Sequence, residues 1–281
     1  MDASHTIFNE PFKVELTWVD LTTPQHYVRY PEGAEMGETI KAWRVHGTLR
    51  QKDYGLVSGG YGFEDTPDCE FISGGNNSKG PGSVALGRQG NFFLWGFCAP
   101  PMDMTSEART VFLNTLAYMK GFDGKRAVAR RRAPSRRWAP VYAGYLDDDR
   151  LKKYGTRQFS KALLEESKGS GATMKELLVA NQAYLFRAAR DASDSPSARS
   201  SGYFAVDADA KALGIANTDP AILERCVTQL EQGEQAERAL LLLHRYTDQG
   251  FLYAADWRVW LDANQGRLYF TDTGGYKFKP R

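Results

Sequence analysis

Two apolar runs, residues 82–88 (GSVALGR) and 91–97 (NFFLWGF), are separated only by Gln89-Gly90. A two-residue gap ending in Gly turns the chain back on itself, because Gly takes the positive φ that a tight hairpin demands. Both arms are apolar enough to need cover on their faces, so the pair predicts a hairpin at the centre of a sheet. Residues 12–19 (FKVELTWV) alternate at period two and place Phe12, Val14, Leu16 and Trp18 on one face, as a half-buried strand requires. Residues 69–73 (CEFIS) read as a further short strand. Pro100-Pro101 stops the second hairpin arm, and Thr105 or Ser106 then offers an N-cap with Glu107 in the first turn. Ala108, Val111, Phe112, Thr115, Leu116 and Met119 recur every three or four residues, predicting an amphipathic helix on the sheet that stops at Gly121.

Beyond the basic stretch at 121–137 the pattern turns helical. Thr173 and Glu176 fit a capping box, and Leu177, Leu178, Ala180, Tyr184, Leu185 and Ala188 extend an apolar stripe that predicts a helix to about Arg190. Residues 191–202 (DASDSPSARSSG) have the composition of a flexible loop. Asp219-Pro220 opens a helix that ends at Gly233, residues 235–246 form a second, and residues 256–264 a third with Gly266 as its C-cap. The end, RLYFTDTGGYKF, alternates again and predicts two short strands. The expectation is an α+β protein: a sheet-based domain over 1–123, an Arg-rich connector over 124–137, and a helical domain with short terminal strands over 138–281.

Composition narrows the function classes. No apolar run approaches the ~20 residues that span a bilayer, and the first residues, MDASHTIFNEPF, lack the basic and apolar regions of a signal peptide. A soluble chain with no membrane partner is expected. Net charge is +2, yet residues 121–137 hold seven basic groups against one acidic, a local +6, so the remainder carries −4. Cys69, Cys98 and Cys226 are odd in number and show no CxxC spacing. That excludes a dense disulfide framework and a Cys-rich zinc site, and favours buried free thiols while leaving a Cys69 to Cys98 bridge open.

No GxSxG elbow, HExxH, Walker A loop or GxGxxG is present, and His5, His26, His46 and His244 lack metal-ligand spacing. No cofactor and no metal are expected. His244 reads as a packed histidine at a core edge, and His5 as a candidate to line a site. The unusual stretch is residues 59–88, which sets Glu64, Asp65 and Asp68 in one Gly-flanked loop and Asn76, Asn77, Ser78 and Lys79 in another. Such loops on an apolar sheet are where sites are built. With His5, the candidate catalytic set is Glu64, Asp65, Asp68 and Ser78, in which the paired carboxylates act as acid and base or, with Asn, hold a hard cation through oxygen ligands. The competing reading makes residues 65–68 (DTPD) a turn whose aspartates bond their own backbone, with Asn76 and Asn77 supplying left-handed turn geometry. Asn76, Asn77, Lys79, Arg88, Tyr61 and Trp95 form a candidate ligand-binding set, with Tyr61, Phe63 and Trp95 as a sugar-stacking platform or as core, and Lys79 and Arg88 alternatively as ion-pair partners of the nearby carboxylates. Arg130, Arg131, Arg132, Arg136 and Arg137 either bind a polyanion or pack a connector onto acidic surface, which the charge balance favours.

Residues 4–8 (SHTIF, compare HPIF), the run GSVALGRQGNFFLWGF, the Pro-rich turn and the helix MTSEARTVFLNTLAYMKGF together resemble the C-terminal half of a ThuA-like, class I glutamine-amidotransferase-like domain, with Asn114 and Tyr118 matching its last helix. The resemblance implies a flavodoxin-like α/β sheet and carbohydrate use outside the cytoplasm in bacteria. It places the protein in the periplasm or outside the cell if a signal precedes this chain, and in the cytoplasm otherwise. The parallel half of that fold, with the elbow for a nucleophilic Cys, has no counterpart in these residues, so the chain is expected to be a fragment of a longer protein or to carry a smaller, rebuilt sheet, without glutaminase chemistry. Residues 204–278 resemble helical C-terminal regions of large bacterial surface or periplasmic proteins. The function expected first is a non-catalytic binding or scaffold module of ThuA-like ancestry for carbohydrate or a protein partner. The alternatives are a hydrolase acting on a carbohydrate-related substrate through the acidic, Asn, Ser and Lys loops, and polyanion binding through the connector; nucleic acid is not an expected partner.

Overall fold

The computed structural model describes residues 1–48, 56–129, 133–189 and 202–281. It contains two compact units, one of residues 1–64 and 68–128 and one of residues 65–67 and 129–281. Helices and several small sheets make the class α+β. Among the described residues no helix is long and apolar enough to cross a membrane.

In the first unit, strands β1 (Trp18–Thr22) and β2 (Thr39–Trp43) form an antiparallel pair with Trp18 opposite Trp43. A second sheet has the order β3 (Cys69–Gly74), β4 (Val84–Gln89), β5 (Phe92–Trp95), all antiparallel. The central β4 is buried from Val84 to Arg88, so the first arm of the hairpin lies at the middle of the sheet, whereas β5 is its edge strand with Phe92 exposed. Gly90 adopts φ +57° in its turn, and a Cβ there would lie 2.7 Å from the Ala127 amide nitrogen. The parallel, flavodoxin-like sheet implied by the resemblance is not what the strands build. Each named pairing is antiparallel, and the links between β3, β4 and β5 are shorter than the dozen or more residues that a parallel crossover requires.

Helix α1 (Ser106–Lys120) starts where expected, with the Thr105 hydroxyl accepting the Ala108 amide. Ala108 and Val111 join Ile7, Phe8, Trp43, Val45, Ile72 and Leu86 in the core of this unit. The strand expected over residues 12–19 begins only at Trp18. Upstream, the Phe12 amide donates to Asn114 Oδ1 at 3.1 Å and the Phe12 carbonyl accepts from Asn114 Nδ2 at 2.7 Å, so the buried Asn114 side chain takes the place of a neighbouring strand. Val14 and Leu16 pack on the core nonetheless, which explains the period-two pattern.

The second unit begins with α2 (Trp138–Ala143), α3 (Asp148–Tyr154), α4 (Lys161–Ser170) and α5 (Met174–Ala180). The Thr173 and Glu176 capping box opens α5 as expected. The helix does not run to Arg190, however. Asn181 is buried and gives its Nδ2 to the Leu177 carbonyl at 2.9 Å, and Leu185–Ala188 then form β6, paired antiparallel with β7 (Tyr203–Val206). Apolar residues at 184, 185 and 188 satisfy either period over so short a run, and strand pairing decided it. Of the Ser-rich stretch, residues 191–201 lie outside the described residues.

Then follow α6 (Ala208–Leu213), α7 (Ala221–Gln232), α8 (Ala236–Tyr246), α9 (Ala254–Asn264) and the hairpin of β8 (Leu268–Thr271) and β9 (Lys277–Pro280). Ile222, Cys226, Leu242, Leu243, Trp257 and Phe278 are the centre of their shared core. Gly233 closes α7 at φ +70°, in the left-handed geometry that only Gly adopts freely. Gly266 also has positive φ, although the residue that caps α9 is Gln265.

Candidate functional site

The first unit carries a groove of about 600 Å³ between its hairpins. Strand alternation builds one wall: Val19, Leu21, Ile40 and Ala42 are the half-buried positions of β1 and β2, and all four line the groove. Trp18, Tyr27, Trp43 and Phe97 are also among the lining residues, Trp18 and Trp43 at the alternate strand positions that face away from Val19 and Ala42. Trp43 is buried and held edge-to-face between Phe8 at 5.9 Å and Phe97 at 5.5 Å, whereas Trp18 leaves 45% of its surface exposed. The result is one free indole beside rings that the core holds rigid. Arg44, His46, Ser73 and Asn76 contribute polar groups to the same lining.

The loop beside it is ordered by one side chain. Asn77 is buried; its Oδ1 accepts the amides of Lys79 (2.6 Å) and Gly80 (3.0 Å), and its Nδ2 donates to the carbonyls of Gly75 (2.5 Å) and Gly80 (3.1 Å). Its own amide donates to the Tyr27 hydroxyl at 3.0 Å. Burial raises the Tyr27 pKa, and that amide bond pulls it partly back. Asn77 is therefore a loop-former, and Asn76, exposed and lining the groove, is the asparagine free to meet a ligand. Neither adopts the left-handed geometry expected of them, since the non-Gly residues with positive φ are Gln235 and Tyr276 among those described. Ser78 is exposed, and Lys79 spends its ammonium on the Val57 carbonyl at 2.6 Å.

The acidic candidates do not meet. Glu64 is exposed. Asp65 belongs to the second unit, where its carboxylate accepts the Thr273 amide at 2.9 Å and hydroxyl at 2.7 Å; burial raises its pKa and those bonds oppose the rise. Asp68 accepts the Val128 amide at 2.9 Å. The aspartates thus bond distant backbone and hydroxyls instead of their own turn, because short carboxylates are drawn to whichever amides the fold leaves unsatisfied.

His5 stands in a different cluster. Its Nε2 lies 3.7 Å from Glu70, whose carboxylate takes both arms of the Arg88 fork at 2.8 and 2.9 Å and the Tyr118 hydroxyl at 2.6 Å. Burial alone would raise the Glu70 pKa, but the bonds from Arg88 and Tyr118 outweigh it and hold it below the usual carboxylate range. Burial and that same carboxylate push the Tyr118 hydroxyl up to about 12. Arg88 also stacks on Phe122 at 3.9 Å, so it is a fully engaged anchor of the sheet and not a ligand arm. Tyr61 donates to Glu32 at 2.8 Å, and Trp95 sits edge-on between Phe97 and Phe112. The aromatic residues among the groove lining are Trp18, Tyr27, Trp43 and Phe97 instead.

Of the basic stretch, Arg130, Arg131 and Arg132 lie outside the described residues. Arg137 is exposed. Arg136 is only 6% exposed and faces inward. Its Nε and Nη2 hold Asp272 Oδ1 at 2.9 and 2.8 Å, and its Nη1 reaches Asn217 Oδ1 at 2.6 Å. A guanidinium buried and engaged in this way anchors the second unit and is turned away from any polyanion in solvent. All three cysteines are free: Cys226 is buried, Cys69 half-buried, and Cys98 exposed, contrary to the expectation of buried thiols. His244 is the packed histidine expected, bonded to the Phe251 carbonyl at 2.8 Å.

Sequence reasoning missed Trp43, Phe97 and His46 as site residues, and it read Trp18 only as one residue of a strand face. The signal available was the pair of tryptophans, but nothing local announces that Trp18 and Trp43 stand opposite each other. Among the described residues no cluster of His, Cys, Asp and Glu is arranged to hold a metal ion. No protein-family model, no curated protein and no solved structure matches the chain.

Proposed function

We propose that the first unit is a binding module whose groove takes a carbohydrate ligand. The observation that carries this reading is a groove of about 600 Å³ that has the half-exposed Trp18 among its lining residues together with Tyr27, Trp43 and Phe97. That volume lies within the range of small-molecule sites, which combine apolar walls with a few placed polar groups. A sugar offers what such a lining asks for: apolar C–H faces to lie on an aromatic ring, and hydroxyls for His46 and Asn76. ThuA-like ancestry, suggested by the hairpin and the helix that follows it, fits a carbohydrate ligand and is proposed on the same footing.

The test is a tryptophan-fluorescence titration of the full chain with maltotriose, cellotriose and chitotriose. A saturable change with at least one sugar, lost in Trp18→Ala, is expected. Trp18 is exposed, so its removal leaves the fold intact, and circular dichroism checks that. If none of the three sugars gives a saturable change, the carbohydrate reading is wrong.

A further inference from the structure

His46 faces the groove and also reaches two other groups. Its Nε2 stands 3.9 Å from Cys98 Sγ, and its Nδ1 stands 3.8 Å from Asp103 Oδ2. We propose that Cys98, His46 and Asp103 form a nucleophilic centre at the rim of the groove, with Cys98 as nucleophile, His46 as general base and Asp103 as the group that orients the imidazole, and with a carboxylic ester as substrate. The order of contacts, thiol to one ring nitrogen and carboxylate to the other, is what such a centre requires. Both contacts are longer than working hydrogen bonds, as is common in the absence of substrate.

The supporting structure is what separates this cluster from a chance encounter on the surface. Asp103 is fixed by the Thr48 amide at 3.0 Å and the Thr48 hydroxyl at 2.9 Å, and its own carbonyl accepts the Gly47 amide. His46 pairs with Met104 in a β-bridge, so the chain on both sides of the His46 and Asp103 contact is held. Arg44 gives its guanidinium to the carbonyls of His46 and Gly47, at 2.9 and 2.7 Å, and so braces this loop. Cys98 is exposed, directly after the groove residue Phe97, whereas Cys226 is buried and its thiol is pushed up to about 12 by that burial. The one accessible thiol among the described residues that lies beside an imidazole is thus also beside the groove.

The chemistry balances with water alone. His46 Nε2 takes the thiol proton as Cys98 sulfur attacks the ester carbonyl carbon; the S–C bond forms, the C–O bond breaks, and the same proton passes to the departing alkoxide to give the alcohol. Water then attacks the thioester carbon and yields its proton to His46. The C–S bond breaks, the carboxylic acid leaves, and the thiolate recovers its proton from the imidazole. Nothing is oxidised or reduced. The proposal stands independently of the carbohydrate reading, since the relay acts on any ester that the groove admits.

Two measurements on the full chain test it. Iodoacetamide alkylation followed by peptide mass mapping reads the reactivity of each cysteine. At neutral pH, Cys98 is expected to alkylate about tenfold or more faster in the wild type than in His46→Ala, with added imidazole restoring part of the rate, which a merely structural role for His46 would not allow. Asp103→Asn is expected to fall between the two. p-Nitrophenyl acetate is expected to give a burst of p-nitrophenolate and one acetyl group on Cys98, both absent from Cys98→Ser. Equal alkylation of Cys98 in the wild type and His46→Ala, or acetyl groups found only elsewhere, would overturn the proposal. Retained sugar binding by Cys98→Ser in that event would show that the groove reading survives it.

Discussion

Arg136→Met separates the two roles open to the basic stretch, because a polyanion contact and a buried anchor respond in opposite ways. Methionine fills similar space and removes the charge. Asp272 Oδ1 would lose both of its side-chain partners, while Oδ2 would keep the Arg136 amide at 2.8 Å and the Ser135 hydroxyl at 3.2 Å. Asn217 Oδ1 would lose its 2.6 Å bond as well. Breaking a buried ion pair from one side costs about 3–5 kcal/mol, and the two bonds left on Oδ2 put the value near the lower end, about 3–4 kcal/mol. For a body of about 150 residues that is a fall of roughly 6–16 °C in Tm. Urea and thermal unfolding followed by circular dichroism give the size of the loss, and hydrogen exchange read by segment assigns it to residues 129–281. Arg136→Met/Asp272→Leu is expected to be more stable than Arg136→Met alone, since an apolar pair leaves no stranded carboxylate. A loss under about 1 kcal/mol, or a double variant that loses the sum of the two singles, would refute the anchor. Weaker heparin retention with unchanged stability would restore the polyanion role.

Gly90→Ala is expected to cost the first unit about 2 kcal/mol or more, because the turn holds φ at +57° and the new Cβ would press on the Ala127 amide nitrogen at 2.7 Å; a shift in the urea midpoint measures it. Glu70 sets an acid limit on the same unit. Its folded pKa lies below the unfolded value of about 4.5, so its contribution is complete above that pH and is lost as pH falls through the folded value. Glu70→Gln should therefore be less stable than the wild type at neutral pH, yet show a flatter decline between about pH 5 and pH 3; parallel declines in the two proteins would argue against this role for Glu70.

What the sequence disclosed divides by distance along the chain. The hairpin near Gln89-Gly90, the Thr105 cap and the Thr173 capping box are written within a few residues of where they act; the two caps are found in place, and the hairpin turn is shifted by one residue to Gly90-Asn91, with Gln89 paired to Phe92. The groove is not local. It needs β2 to lie against β1 with Trp43 opposite Trp18, and no periodicity in either segment names its partner. The polar loops misled for a related reason. Asn77, Asp65 and Asp68 have the chemistry of a catalytic cluster, but a short amide or carboxylate side chain also satisfies backbone groups well, and the fold uses all three in that way. Cys98 and His46, 52 residues apart, carried no motif at all and were brought together by the same packing that scattered the acidic set. The charge balance favours a connector packed on acidic groups, but it cannot name Asp272 as the carboxylate that Arg136 meets. A window of sequence sums charges as if all met water, whereas one guanidinium with a carboxylate at 2.8 Å is withdrawn from the surface total together with its partner. The partner is 136 residues away, so the window saw a cation where the fold has a neutral, buried pair.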